Sequence, residues 1–168
     1  MSTIACGSSH TAAVSRDQSA AFTWGAGAHG QLGLGSESNA HTPSRVVCPR
    51  DLNIVAAACG YSHTIFLVSN GRFTSALECG ESPFAEAPSD VAMLPVQVQL
   101  DGRLLVDVVQ VFAGAQRSGA VLENGRLLVW QRTRHCAPRL QPFGGCENVT
   151  SCVAVALGKV VSYLGAVQ

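Results

Sequence analysis

Apolar residues in this chain fall in short runs of about five to seven, each closed by a turn. "HTAAV" at His10–Val14, "HTIFLV" at His63–Val68 and "SGAVL" at Ser118–Leu122 are each followed by a polar break and a second apolar run: "AFTW", "TSAL" and "RLLVW". Runs this short, bounded by Gly, Asn, Asp and Ser, read as β-strands. The breaks carry Asn70-Gly71 and Asn124-Gly125, a pair that favours positive φ and a tight hairpin. The pattern therefore predicts antiparallel strand pairs.

The pairs recur. "ACGSSHTAAV" at Ala5–Val14 returns as "ACGYSHTIFL" at Ala58–Leu67, and "FAGAQRSGAVL" begins at Phe112. Gly7, Gly60 and Gly114 mark one position in the three copies, 53 and then 54 residues apart. Between copies, "SRVV" and "LPVQVQL" supply a further strand, while "IVAAACG" and "VVQVFAG" lead into the next repeat. About four strands per unit of roughly 50 residues suit a propeller blade better than a helical solenoid. A shortened fourth copy, "VAVALGKVVSYLG", places Gly158 like Gly125 and Tyr163 like Trp130. The expected organisation is one domain over 1–168, with units at about 4–53, 54–107, 108–148 and, truncated, 149–168.

Gly7, His10 and Thr11, the strand ending in Trp24-Gly25, and then Gly27, Gly30, Gln31, Leu32, Gly33, Gly35 and Pro43 together resemble the repeat of the regulator of chromosome condensation (RCC1) family, whose members form β-propellers. "WGAGAHGQLGLG" is the most specific element. The second copy keeps Gly60, His63 and Thr64 but sets Ala76-Leu77 in place of Trp-Gly and lacks the Gly-Gln-Leu-Gly run. The third has Arg117-Ser118 for His-Thr and retains Gly125 and Trp130. The resemblance implies an all-β partial propeller of about three blades plus a truncated fourth, with these residues in structural roles.

Gly25-x-Gly27-x-x-Gly30 also matches the spacing of a dinucleotide-binding turn. That turn works only where a helix starts on its last glycine. Gly33, Gly35 and Pro43 are poor material for a helix, and Asp51 is the sole carboxylate near the expected distance. A nucleotide-dependent enzyme built on this turn is the weakest functional reading, and it predicts saturable cofactor binding. Cys6-x-x-x-His10 and Cys59-x-x-x-His63 offer zinc-type ligands, but as equivalent positions of successive blades they are expected to lie a blade apart. No Gly-x-Ser-x-Gly elbow is present, and Glu37, Asp51, Glu78, Glu81, Glu86 and Asp90 read as surface charges in connections. No cofactor and no covalent chemistry are expected.

Eleven basic residues balance eleven acidic ones, which gives no field to draw nucleic acid or an anionic membrane. Seven cysteines without a CxxC pair, behind an N-terminus lacking secretory blocks, predict free thiols in an intracellular compartment, cytoplasmic or nuclear. The apolar run Val149–Gln168 has the length of a membrane span, but Lys159, Gly158 and Gly165 interrupt it and favour two strands. The expected function is a non-catalytic protein-interaction module. Its candidate partner loop carries Arg132, Arg134, His135 and Arg139. The resemblance adds guanine-nucleotide exchange on a small Ran-like GTPase as an alternative. A ring of seven such blades needs roughly 380 residues, so an open arc is expected. Its uncovered edges point to a longer product, to self-association, or to a degenerate copy.

Overall fold

The computed structural model describes the backbone of residues 3–17, 20–82, 91–131, 141–142, 152–157 and 162–166, and side chains within 3–17, 20–82 and 91–130. Every regular element among these residues is a strand. The first sheet comprises β1 (Thr3–Cys6), β2 (His10–Val14), β3 (Ala21–Gly25) and β4 (Ala40–Arg45), in that order and antiparallel throughout. The second repeats the plan with β5 (Asn53–Cys59), β6 (His63–Ser69), β7 (Thr74–Glu81) and β8 (Val91–Gln97). A small hairpin, β9 (Gln99–Leu100) and β10 (Arg103–Leu104), precedes the third sheet of β11 (Val108–Ala113), β12 (Arg117–Leu122), β13 (Leu127–Gln131) and β14 (Gln141–Pro142). Last come β15 (Cys152–Leu157) and β16 (Ser162–Ala166), paired with each other, with β15 beside β11 and β12. The predicted all-β, blade-like architecture is the one observed. The run Val149–Gln168 holds two strands, and no helix among the described residues is long and apolar enough to cross a membrane.

The sheets stack face to face, which explains why the middle strands are apolar almost without alternation. In β6 every residue from His63 to Val68 is buried: one set of side chains faces the first sheet and the other faces the third. Ala12, Val14 and Ala21 of the first sheet pack with Ile54, Phe66, Val68, Leu77 and Cys79 of the second. Ile65, Leu67 and Ala76 then pack with Val108, Val111, Ala120, Leu122, Leu128 and Trp130 of the third. Each large side chain buried in a seam contributes about 1.5–3 kcal/mol, so stability is concentrated between sheets. Outer strands need no such pattern. β4 is mostly exposed and accommodates Pro43 at a sheet edge.

Three expectations are adjusted by the strand bounds and register. The strand expected at "SRVV" runs instead from Ala40 to Arg45. Thr11 pairs with Trp24 and His10 with Gly25, and correspondingly Thr64 pairs with Cys79 and His63 with Gly80. The second copy's counterpart of Trp-Gly is thus Cys79-Gly80, three residues beyond Ala76-Leu77. The hairpin of the second sheet is also longer than a two-residue turn: Asn70 Oδ1 accepts from the N–H groups of Arg72 and Phe73, and only Gly71 takes positive φ.

Candidate interaction surface

The motif residues converge on the seams. His10, at the start of β2, is buried and its Nε2 lies 2.8 Å from Thr64 Oγ1 on the second sheet. The Thr64 hydroxyl donates to the backbone carbonyl of Gln31 at 2.7 Å, which leaves His10 Nε2–H as the donor to Thr64. His10 is therefore the neutral Nε2–H tautomer. Burial, reinforced by His63, holds its pKa down to about 4. Cys79 Sγ donates weakly to the same Gln31 carbonyl at 3.5 Å, and Thr23 donates to the Leu32 carbonyl at 2.6 Å.

Gln31 and Leu32 are buried because the glycine loop lies down on the second sheet. A Cβ at Gly30 would meet the Val91 side chain at 2.9 Å and the Ala92 carbonyl at 3.1 Å. Gly33 sits against Cys79 and Pro95, and Gly35 N–H donates to the Met93 carbonyl at 2.9 Å. Gly27 is held by Asn39 Oδ1 at 3.0 Å. At Gly25, φ is +108° and a Cβ would stand 2.5 Å from the Ser9 carbonyl; Gly80 repeats this against the Ser62 carbonyl. No helix follows Gly30 among residues 31–39, and the loop's inner side is filled by β8. A pyrophosphate cradle is thereby absent from this turn.

The next seam replaces the loop with a carboxylate. Ser118 occupies the position of Thr64, and its hydroxyl donates to Glu78 Oε1. Glu78 Oε2 accepts from Ser82 Oγ at 2.7 Å and from Trp130 Nε1 at 3.4 Å. Glu78 is 1% exposed, which corrects its reading as a surface charge. The second copy lost its Gly-Gln-Leu-Gly run, and Glu78 supplies the acceptor that the Gln31 carbonyl provides one seam earlier. His63 Nε2, the counterpart of the nitrogen that binds Thr64, has no hydrogen-bond partner here. Sequence reading missed Glu78 and Gly80; the register, once known, finds both.

Cys6 and Cys59 fall on successive sheets, and among the described residues no three His, Cys, Asp or Glu side chains gather as a metal site. Cys59 donates to the Ala5 carbonyl at 3.5 Å, and burial pushes its thiol up to about 12. Cys79 is raised further by the same cause. Two open cavities, of about 760 and 410 Å³, lie where linkers join successive sheets. The first is lined by Asp101, Arg103, Asp107 and Glu123, the second by Arg45, Cys48 and Arg50; neither lining contains histidine.

At the opposite end, the β1–β2, β5–β6 and β11–β12 turns form a stitched row. Ser8 N–H donates to the Gly60 carbonyl at 3.3 Å, Ser8 Oγ to the Tyr61 carbonyl at 3.3 Å, and Tyr61 N–H to the Ala115 carbonyl at 3.0 Å. Gly7, Gly60 and Gly114 start these turns, each N–H closing on the carbonyl of residue 10, 63 or 117. Tyr61 stands out from the row, 58% exposed. Gly125 closes the distant hairpin with positive φ. Arg132, Arg134, His135 and Arg139 lie outside the described residues.

Four-stranded sheets fastened face to face by a recurring polar relay define a run of β-propeller blades. The model of the regulator of chromosome condensation (RCC1) repeat matches residues 19–67, and the chain carries RCC1-like repeats. It is 38% identical over 81 residues to the serine/threonine-protein kinase Nek9 of Mus musculus, covering 48% of this chain and 8% of that one. It is 28% identical over 170 residues to the X-linked retinitis pigmentosa GTPase regulator of Canis lupus familiaris, covering 95% and 16%. The crystal structure of Prp20p from Saccharomyces cerevisiae, described with its binding properties to Gsp1p and histones, shares the fold with a TM-score of 0.61 at 24% identity, over 77% of this chain and 32% of that one. The chain spans at most 28% of the length of the leading curated relatives.

Proposed function

We propose that the chain is a non-catalytic protein-interaction module that presents the turn row around Tyr61 to a protein partner. The observation that carries this reading is the division of labour among side chains. His10, Gln31, Thr64, Glu78 and Ser118 are consumed in the seams, whereas Tyr61 is held outward on a backbone fixed from both sides. A rigid exposed aromatic is the kind of residue that anchors protein interfaces. The test is photo-crosslinking from the exposed position 116 in cells, followed by binding measurements on the captured protein. Tyr61→Ala is expected to weaken that binding at least tenfold with an unchanged thermal melt. Undiminished binding would overturn the assignment of this row.

A second reading, exchange activity on a small Ran-like GTPase, is favoured by similarity to a protein named as a GTPase regulator. It predicts faster release of fluorescent GDP from such a GTPase. No acceleration across a panel of small GTPases would dispose of it.

A further inference from the structure

The linker between the second and third sheets encloses a cavity of about 760 Å³ at the end of the sheets away from Tyr61, within the range of about 300–1,000 Å³ typical of ligand sites. Its floor is apolar: Leu105 and Leu122 are buried, and Leu100 and Leu104 are half-buried. Three carboxylates, Asp101, Asp107 and Glu123, stand around that floor against one cation, Arg103. All three are exposed, and none is in an ion pair among the described residues. The backbone beneath them is fixed. Asp101 and Gly102, with φ of +50° and +74°, make the two-residue turn between β9 and β10. Glu123 N–H donates to the Asp107 carbonyl at 2.8 Å, tying the linker to the β12–β13 hairpin, and Leu105 N–H donates to the Val98 carbonyl at 3.0 Å. Asp107 also has positive φ, +59°. A left-handed backbone accounts for a residue that tolerates it at 101 and 107, but Asn or Gly would serve there equally. Glu123 is under no such constraint. The cavity at the preceding linker, about 410 Å³, is lined by Arg45 and Arg50 and by no carboxylate, so a linker does not require an acidic rim.

We infer that this cavity docks a segment of a partner protein in which a leucine-sized side chain stands next to Lys or Arg. The apolar side chain lies on the Leu105–Leu122 floor, and the cation lies against Asp107 and Glu123. Three carboxylates against one cation, in a chain of zero net charge, supply the complementarity. An acidic segment is repelled, and a purely apolar one leaves the rim without a counter-charge. The inference rests on reading the chain as an interaction module and adds a second surface, at the opposite end of the sheets from Tyr61.

The probe is a library of hexapeptides with leucine fixed at the third position and the fourth varied, applied to the full chain at low salt. Lys or Arg is expected at the fourth position over Asp or Glu by about tenfold or more. The recovered peptide is expected to shift the methyl signals of Leu105 and Leu122 and to lose about fivefold or more in affinity from about 50 to 500 mM NaCl. Asp101→Asn, Asp107→Asn and Glu123→Gln together remove the charge and keep residues suited to positive φ at 101 and 107. This triple variant is expected to weaken binding about tenfold or more with an unchanged melt. If its melt falls, Glu123→Gln alone decides, with an expected loss of about threefold. Arg45→Gln with Arg50→Gln leaves the affinity unchanged. No recovered peptide, recovery without charge preference, methyl shifts elsewhere, or full binding by the charge-removing variants would overturn the proposal. Tyr61→Ala leaves this peptide bound, so either surface fails without the other.

Discussion

His10 links one side chain to the stability of a whole seam. The unfolded chain protonates it near 6.5, whereas the folded seam holds it neutral down to about 4. Its contribution is complete above pH 6.5 and is lost as pH falls from 6.5 toward 4, because the unfolded state then binds the extra proton. We predict an acid limb in the stability curve on the order of 3 kcal/mol across this window, flattened in His10→Gln and measured by urea unfolding at stepped pH. The glycines separate in the same way. Gly71 has positive φ but open space, so Gly71→Ala costs only the left-handed penalty, about 1–2 kcal/mol. Gly25→Ala adds a collision with the Ser9 carbonyl and is expected to cost about 3 kcal/mol or more. Comparable losses in the two variants would contradict the close approach at Gly25. Thiol labelling followed by peptide mapping provides a further check: exposed Cys6 reacts in the native protein, whereas Cys59 and Cys79 react only on unfolding.

Among elements, the first two seams solve one problem differently. A backbone carbonyl on a glycine loop accepts from Thr64, and a buried carboxylate accepts from Ser118. Glu78→Ala removes an acceptor shared by Ser82, Ser118 and Trp130 and is predicted to cost about 2–4 kcal/mol. A thermal melt lowered by several degrees is the expected result, and an unchanged melt would contradict the network. The first seam was legible in the sequence because its loop motif is local: Trp24 to Gly35 is contiguous, and its glycines announce themselves. Glu78 was not legible. Its partners Ser118 and Trp130 lie 40 and 52 residues away, and a carboxylate near a polar connection has exposure as its ordinary fate. Cys79-Gly80 was misplaced for a related reason, since β7 extends four residues past the apolar run that suggested its end.

For the whole molecule, the strand runs, the repeat period and the all-β class were readable because blade packing imposes the same pattern about every 54 residues. What the period does not encode is which copies keep which fastening, and that determines where free surface remains. A loop filled by β8 has no room for pyrophosphate, so millimolar NAD, FAD or ATP is predicted to leave the melting temperature unchanged. A saturable rise would revive the nucleotide reading.

The motif residues fasten one blade to the next. A double-mutant cycle between His10 and Thr64, which are 54 residues apart in sequence, measures that fastening, using His10→Ala, Thr64→Val and the double variant in urea unfolding. A favourable coupling of about 1 kcal/mol or more is predicted. Additivity within about 0.3–0.5 kcal/mol would mean that the two side chains do not hold the seam.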